Sequence, residues 1–220
     1  MTVTAEQLDP PLTRDQTGSL FTHTMGLVAV TAGTFAFGAY IAQDVAAGWS
    51  WVFFIGAFVV LMTLSVAVSR SETGSVGLLL AFGFLLGASV ASHFAYYAST
   101  DPDALWTAGG ATGLFVAGFG ALGYATRRDL SNLARGLTWA LFGLILFGVV
   151  EIFVQSPGGW MVYNALGLVI FAGLIAFDFQ RLRKSRDLRN APVLAASIFL
   201  DIVNVFLFLL SFGGSSGGRE

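Results

Sequence analysis

The sequence contains no cysteine and only two histidines, His23 and His93, among its 220 residues. The absence of cysteine excludes disulfide bonds, thiolate metal sites and cysteine nucleophiles. Two histidines leave little material for a histidine-based metal centre or a catalytic triad. The chain also lacks the HExxH, P-loop and dinucleotide-binding motifs. We therefore expect no enzymatic activity and no bound cofactor.

Charged residues are scarce as well, at 11% of the chain, whereas hydrophobic residues make up 55% and the mean hydropathy is +0.76. A soluble domain usually carries about 25% charged residues. The sequence has no basic patch with interleaved aromatic side chains, so it predicts no nucleic-acid partner. The composition instead indicates an all-α polytopic membrane protein in contact with the lipid bilayer.

Long apolar runs account for most of the chain. A helix that spans a bilayer needs roughly 20 apolar residues. Seven runs approach that length, and they define a transmembrane domain over residues 20–212: Leu20–Gln43, Trp51–Ser69, Val76–Ala98, Leu105–Tyr124, Gly136–Val154, Met161–Phe179 and Val193–Phe212. Residues 1–19 form a polar N-terminal tail without the features of a signal peptide. Residues 213–220 form a flexible Gly/Ser-rich tail.

The distribution of Arg and Lys predicts the orientation in the membrane. If seven helices alternate, Arg219 lies on one side and the other ten basic residues lie on the opposite side: Arg14, Arg70, Arg127, Arg128, Arg135, Arg181, Arg183, Lys184, Arg186 and Arg189. Basic residues are enriched in cytoplasmic loops. We therefore expect a multi-pass protein of the inner (cytoplasmic) membrane, with its N-terminus in the cytoplasm and its C-terminus outside.

Two carboxylates interrupt the last two apolar runs. Asp178 lies near the end of YNALGLVIFAGLIAFDFQRL, and Asp201 lies within VLAASIFLDIVNVFLFLLSF. An ionisable side chain at the centre of a membrane helix costs about 3 kcal/mol on insertion scales, so such residues usually have a function. The short basic segment RLRKSRDLRNAP joins the two runs as antiparallel neighbours. The sequence therefore predicts that Asp178 and Asp201 approach each other near the cytoplasmic end.

Asp201 belongs to a polar stripe on the last helix. The members of this stripe fall within roughly 80° around the helix: Ser197, Asp201, Asn204 and Ser211. Asp201 lies about eight residues, or about 12 Å, from the cytoplasmic end of its run. Ser197 and Asn204 are therefore possible pore-lining residues. The alternative for Asp201 is a structural carboxylic acid that hydrogen-bonds to a neighbouring helix.

A buried carboxylate pair can share one proton near neutral pH, which makes it a candidate pH sensor and gate. When deprotonated, Asp178 and Asp201 also offer hard oxygen ligands for transient Ca²⁺ binding. Arg70, at the cytoplasmic end of the second run, is a possible ion-pair partner. The alternative for Asp178 is an ion pair with Arg181 one turn later. An intramembrane aspartyl protease would also use two aspartates, but FLDIVN lacks the GxGD pattern typical of its second motif.

Two further polar residues lie near the predicted outer ends of their runs. Glu151 is in the fifth run and His93 is in the third, and each is a possible pore-lining residue of an outer vestibule. The alternative for both is a locally hydrogen-bonded or snorkelling side chain.

Glycine is abundant, with 27 residues that lie mostly inside the apolar runs. GFLLG at Gly83–Gly87 and GGATG at Gly109–Gly113 match the small-xxx-small pattern, which lets helix backbones approach closely. The pattern predicts tight helix packing at both places.

Several stretches together resemble one family. ALGLVIFAGLIAFDFQRL followed by SIFLDIVNVFLFLL is similar to the last two helices of the Bax-inhibitor (transmembrane Bax inhibitor motif) family. SETGSVGLLLAFGFLLG and LGYATRRDLSNL resemble that family's loop into the third helix and its loop between the fourth and fifth. The resemblance covers about residues 71–210. The C-terminus lacks the basic tail of animal members, which is typical of a prokaryotic-type member.

The resemblance implies a fold in which the seventh helix is central and is wrapped by two layers of three helices. It also implies a pH-sensitive calcium leak channel with calcium ions as the permeant species, gated by Asp178 and Asp201, with Arg70 as the arginine that pairs with them. The alternative function is a non-conducting membrane regulator that binds another membrane protein, such as a membrane protease or a stress-response complex.

Overall fold

The structure, a computed structural model, describes residues 14–67, 72–156, 158–185 and 187–216. Helices make up nearly all of this part of the chain, and it contains no strand. The α-helices, in chain order, are α1 (Arg14–Ile41), α2 (Ser50–Ala67), α3 (Glu72–Ser89), α4 (Ala91–Thr100), α5 (Pro102–Ala125), α6 (Ser131–Val154), α7 (Gly159–Lys184) and α8 (Ala191–Ser216). The all-α prediction is confirmed.

Within the described residues, six helices are long and apolar enough to cross a membrane, and the number rises to seven if the bent pair of α3 and α4 forms one span. Each predicted apolar run corresponds to one of these helices or to the bent pair. The third run is not one straight helix, however, since α3 and α4 meet at an angle of 54°. Ser89 contributes to this bend, because its hydroxyl donates to the Leu86 carbonyl at 2.7 Å, and such back-bonding often bends helices.

Helix α8 is the most buried of these spans, with 56% of its apolar window inside the protein against 11% for α2. It packs mainly against α7, α5 and α1, and it makes smaller contacts with α2 and α3. Helix α6 packs chiefly against α7 and presents many large apolar side chains outward. The arrangement of the other helices in two layers of three stays a prediction.

Glycines bring α3 into direct contact with α1. A Cβ atom on Gly87 would collide with the Phe35 carbonyl oxygen, and one on Gly38 would collide with the Phe84 carbonyl oxygen. A Cβ on Gly83 would come within 2.8 Å of the Thr31 carbonyl oxygen. The packing predicted for GFLLG is therefore confirmed, because only glycine permits this approach of the two backbones.

The same prediction for GGATG is wrong within the described chain. Cβ atoms built on Gly109, Gly110 and Gly113 would meet no other atom within 4 Å. These glycines lie on parts of α5 that no other described helix covers, so the absence of their side chains leaves open space instead of a close helix contact.

Candidate functional site

Asp178 and Asp201 are both buried, with 5% and 6% of their surface exposed. Asp178 lies six residues before the end of α7, or about 9 Å along the helix, and Asp201 lies ten residues after the start of α8, or about 15 Å. Because α8 begins at Ala191, two residues before the predicted run, Asp201 is slightly deeper than expected. We call the end of the protein that carries the α5–α6 and α7–α8 loops the basic end.

Ser197 links α8 to the first of the two aspartates. Its hydroxyl on α8 donates a hydrogen bond to Oδ2 of Asp178 on α7, and Ser197 lies one helical turn before Asp201 on the same helix. The Asp178 carboxylate in turn interacts electrostatically with Asp201. Ser197 therefore lies at the depth of Asp178, with Asp201 one turn further inside the bundle.

Asp201 has an unsatisfied acceptor. Its Oδ2 atom is buried and receives no hydrogen bond from any described residue. A buried polar atom without a partner costs about 1–3 kcal/mol, so a proton or a cation at this position would be stabilising. This acceptor distinguishes Asp201 from Asp178, whose Oδ2 atom accepts from Ser197.

The positive charge near the pair comes from Arg181 within the described chain. Its guanidinium interacts electrostatically with Asp178, although no hydrogen bond or close ion pair joins the two residues. Arg70, the predicted ion-pair partner, lies outside the described residues. Its role stays a prediction.

A polar cavity of about 450 Å³ lies between α7 and α8 on the side of the protein opposite to the basic end. Its polar lining consists of Asn164, Asn204 and Ser211 together with the Trp160 and Tyr163 side chains. Asn204 lies three residues beyond Asp201 on α8, so the polar stripe of α8 leads from this cavity toward the aspartates. We call this cavity the α7/α8 vestibule. Asn164, which is 7% exposed, was not among the residues predicted from the sequence.

Glu151 and His93 lie apart from the aspartate pair. Glu151 is 2% exposed, and both of its carboxylate oxygens accept from the Ser156 hydroxyl at 2.9 Å. This contact closes the turn between α6 and α7. His93 is exposed and lines a small cavity with Trp51 and Phe54. The structure thus places neither residue in the vestibule, and their pore-lining role stays a prediction.

Gln180 holds the α5–α6 loop against α7. Its Nε2 donates to the Arg128 carbonyl at 2.6 Å, and its Oε1 accepts from the Leu130 amide at 3.0 Å. Arg183 adds a hydrogen bond to the Thr126 carbonyl at 2.6 Å. The Gln180 side chain is almost fully buried and lies two residues after Asp178. It therefore anchors the α5–α6 loop to the end of α7, a role that the sequence analysis missed.

Replacing Gln180 by alanine is expected to release this loop. The change leaves the Arg128 carbonyl and the Leu130 amide without their partner, which costs about 1–3 kcal/mol when such groups are buried. Hydrogen exchange should therefore accelerate at the amides of residues 126–130. Arg189→Ala is the matched control, because among the described residues Arg189 bonds its near neighbour Asp187 and not the α5–α6 loop. Unchanged exchange in Q180A would contradict the role of Gln180.

Two exposed carboxylates at the basic end stay ionised at physiological pH. Hydrogen bonds from the Ser131 hydroxyl and amide, with a contribution from Lys184, lower the pKa of Asp129. Hydrogen bonds from Arg189 lower the pKa of Asp187. A lowered pKa gives stability that is present above the unfolded-state value of about 3.9 and lost only in more acidic solution. Neither residue therefore changes charge between pH 5 and 8.

The described residues contain no group of three or more His, Asp or Glu side chains that could hold a metal ion. Calcium in resident sites takes about six to eight oxygen ligands. Two carboxylates with a serine hydroxyl fall short of that number, so this donor set is suited to a passing ion and not to a tightly held one.

The fold and the site together define a multi-pass helical membrane protein with a carboxylate pair buried between its last two spans. The family described as "Inhibitor of apoptosis-promoting Bax1" matches residues 17–218. The chain therefore belongs to the Bax-inhibitor family, as the resemblance predicted, and the match extends well beyond the stretches that first suggested it.

Bacterial relatives agree with this assignment. The inner membrane protein YbhL of Escherichia coli (strain K12) is 31% identical over 183 residues, which cover 74% of this chain and 75% of YbhL. An uncharacterized protein of Borreliella burgdorferi is 32% identical over 167 residues, or 71% of each chain. Another uncharacterized protein, from Caulobacter vibrioides, is 35% identical over 145 residues, or 62% of this chain and 56% of the relative.

Proposed function

We propose that the protein is a pH-sensitive calcium leak channel gated by Asp178 and Asp201. The observation that carries the proposal is a buried carboxylate pair in which Asp178 accepts from Ser197 and one oxygen of Asp201 has no partner among the described residues. A site of this kind can hold a proton or contact a divalent cation, but the two compete for the same carboxylate oxygens. Competition between the two links cation passage to pH.

The α8 polar stripe supports a route for the ion. A cation that enters the α7/α8 vestibule meets the oxygens of Asn164 and Asn204 first. Asp201 follows one turn further along α8, and Ser197 with Asp178 follows another turn after that. Oxygen ligands spaced in this way replace the water shell of a hard cation in successive steps.

Gating in this proposal depends on the charge of the pair. The deprotonated carboxylates attract an arginine, for which Arg70 is the candidate in this family. Protonation removes charge from the pair and weakens that attraction, so that α2, which packs mainly against α3, can shift. We further propose that the basic end faces the cytoplasm and the vestibule faces outward, since basic loops favour the cytoplasmic side.

The proposal predicts that the purified protein alone moves calcium. Proteoliposomes with an internal Ca²⁺-sensitive dye should fill faster than protein-free liposomes of the same lipid. The alternative, a non-conducting regulator of a membrane protease or stress-response complex, predicts equal filling of both. It also predicts that a partner copurifies with the protein from membranes and is lost when the exposed Arg127 and Arg128 are neutralised. Equal filling at every pH between 5 and 8 would overturn the channel.

A further inference from the structure

A long apolar groove separates α1 from α5 at the surface of the bundle. Two cavities of about 470 and 560 Å³ form it, and both include Ala117 and Phe179 in their walls, so they adjoin along the groove. One wall is α5 from Gly109 to Tyr124, about 22 Å of helix. Phe199, Ile202 and Phe206 of α8 form the floor next to α4. We call this feature the α1/α5 groove.

The groove lies among helices that are long and apolar enough to cross a membrane, so within a bilayer it would face lipid acyl chains. Its lining is almost wholly apolar, and the one buried threonine, Thr112, already donates to the Ala108 carbonyl. Each cavity falls within the range of about 300–1,000 Å³ typical of ligand pockets. The 22 Å length exceeds the roughly 15 Å that one leaflet contributes to a hydrocarbon core of about 30 Å. One acyl chain therefore fits lengthwise.

Positive charge lies beyond one end of the groove. Gly18 and Tyr124 line the groove at its basic end, and Arg127 and Arg128 follow Tyr124 in the α5–α6 loop. Both arginine side chains are exposed and form no ion pair with a described residue. Arginine recognises phosphate by paired hydrogen bonds. A basic pocket between helices at a membrane surface is typical of anionic-lipid binding.

From these observations we propose that the α1/α5 groove binds one anionic phospholipid, with an acyl chain against Ala117 and Phe179 and the headgroup phosphate at Arg127 and Arg128. Phe179 follows Asp178 directly, and Ile202 follows Asp201 directly. The acyl chain therefore lies against the helix turns that carry the aspartates, on the side away from the α7/α8 vestibule. The binding site is independent of whether the protein conducts calcium.

Native mass spectrometry of the detergent-purified full chain tests the groove. Samples are incubated with phosphatidylglycerol or with phosphatidylcholine of identical acyl chains. The wild type should retain one phosphatidylglycerol. Gly113→Leu places a side chain in the groove without a clash at its Cβ, which would meet nothing within 4 Å, and it should abolish retention. Gly118→Leu is the matched control, because Gly118 also has open space but does not line the groove.

A second arm tests the headgroup site. Arg127→Gln and Arg128→Gln should each weaken the preference for phosphatidylglycerol about fivefold, the effect of one basic residue near an anionic membrane surface. Arg135→Gln, on α6, is the control and should leave it unchanged. Inorganic phosphate and the deacylated headgroup should fail to displace the lipid, because the acyl chain supplies most of the contact.

Three results would overturn the proposal. The first is equal retention by the Gly113→Leu and Gly118→Leu variants, provided that their thermal unfolding midpoints agree. The second is displacement of the lipid by phosphate alone, which would mean a surface anion site without the groove. The third is a dimer of the wild type that Gly113→Leu converts to a monomer without loss of lipid, which would assign the groove to a second copy. If Gly113→Leu does not fold, the phosphate-displacement experiment and the Arg127→Gln and Arg128→Gln variants test the proposal instead.

Discussion

Replacing Asp201 by asparagine should make calcium flux independent of pH between 5 and 8. The amide has nearly the shape of a carboxyl group but cannot take up or release a proton. Where one proton controls opening, flux can change by up to about tenfold for each pH unit. The wild type should show such a dependence. The flux through D201N should stay at the value that the wild type reaches in acid, because the asparagine lacks the negative charge that protonation removes from Asp201.

Glu151→Gln is the matched control for this experiment. It removes another buried carboxylate from a spanning helix, but Glu151 bonds to Ser156 in the α6–α7 turn and not to the aspartates. We expect E151Q to keep the wild-type pH dependence. Asp129 and Asp187 stay ionised over the same range, so neither can supply the signal. A D201N profile that follows the wild type, or an E151Q profile that becomes flat, would contradict the proposed gate.

Replacing Gly87 by alanine should produce a severe loss of stability. The added methyl group collides with the Phe35 carbonyl oxygen, which is main chain and cannot rotate away. Helices α1 and α3 must then separate along an extensive interface. Overpacking of this kind costs about 3 kcal/mol or more when the backbone has to move. The thermal unfolding midpoint of the protein in detergent micelles measures the effect.

Gly118→Ala is the comparison for G87A. Gly118 lies in the same type of apolar helix, but a Cβ there meets no other residue. Its replacement should change the free energy of unfolding by no more than about 0.5 kcal/mol, as expected for an exposed position. If both variants unfold at the same temperature, the close α1–α3 contact does not exist in the membrane protein.

The number and positions of the membrane spans could be predicted from sequence, because the length of an apolar run directly limits how a chain crosses a bilayer. The bend between α3 and α4 could not. Gly87 and Ser89 precede the break at Val90, but glycine and serine also occur in the unbroken helices, and the Ser89 hydroxyl bond that contributes to the bend is an interaction within the folded helix. The sequence also could not tell which small-xxx-small pattern packs against another helix. The pattern at 83–87 faces α1, whereas the one at 109–113 faces open space.

The aspartates of the site could be predicted because a carboxylate in an apolar helix stands out in composition alone. The hydrogen bond from Ser197 to Asp178 could not, since a serine on a membrane helix usually bonds to its own backbone, as Ser211 does. Gln180 was missed because it lies beside a basic segment and reads as a surface residue. Its partners are more than 45 positions away in the sequence. Asn164 likewise could not be predicted as a site residue, because only the folded structure shows that it lines the same cavity as Asn204.

Asp178 and Asp201 should hold a proton between them, and infrared spectroscopy of the reconstituted protein can detect that proton. A protonated carboxyl group absorbs at a different infrared frequency from a carboxylate. A band is assigned to a particular residue when substitution of that residue removes the band. Near pH 7 the wild type should show a protonated carboxyl band that is absent from the Asp178→Asn/Asp201→Asn double variant and retained in Glu151→Gln. A wild-type spectrum without such a band at any pH between 5 and 8 would contradict the account.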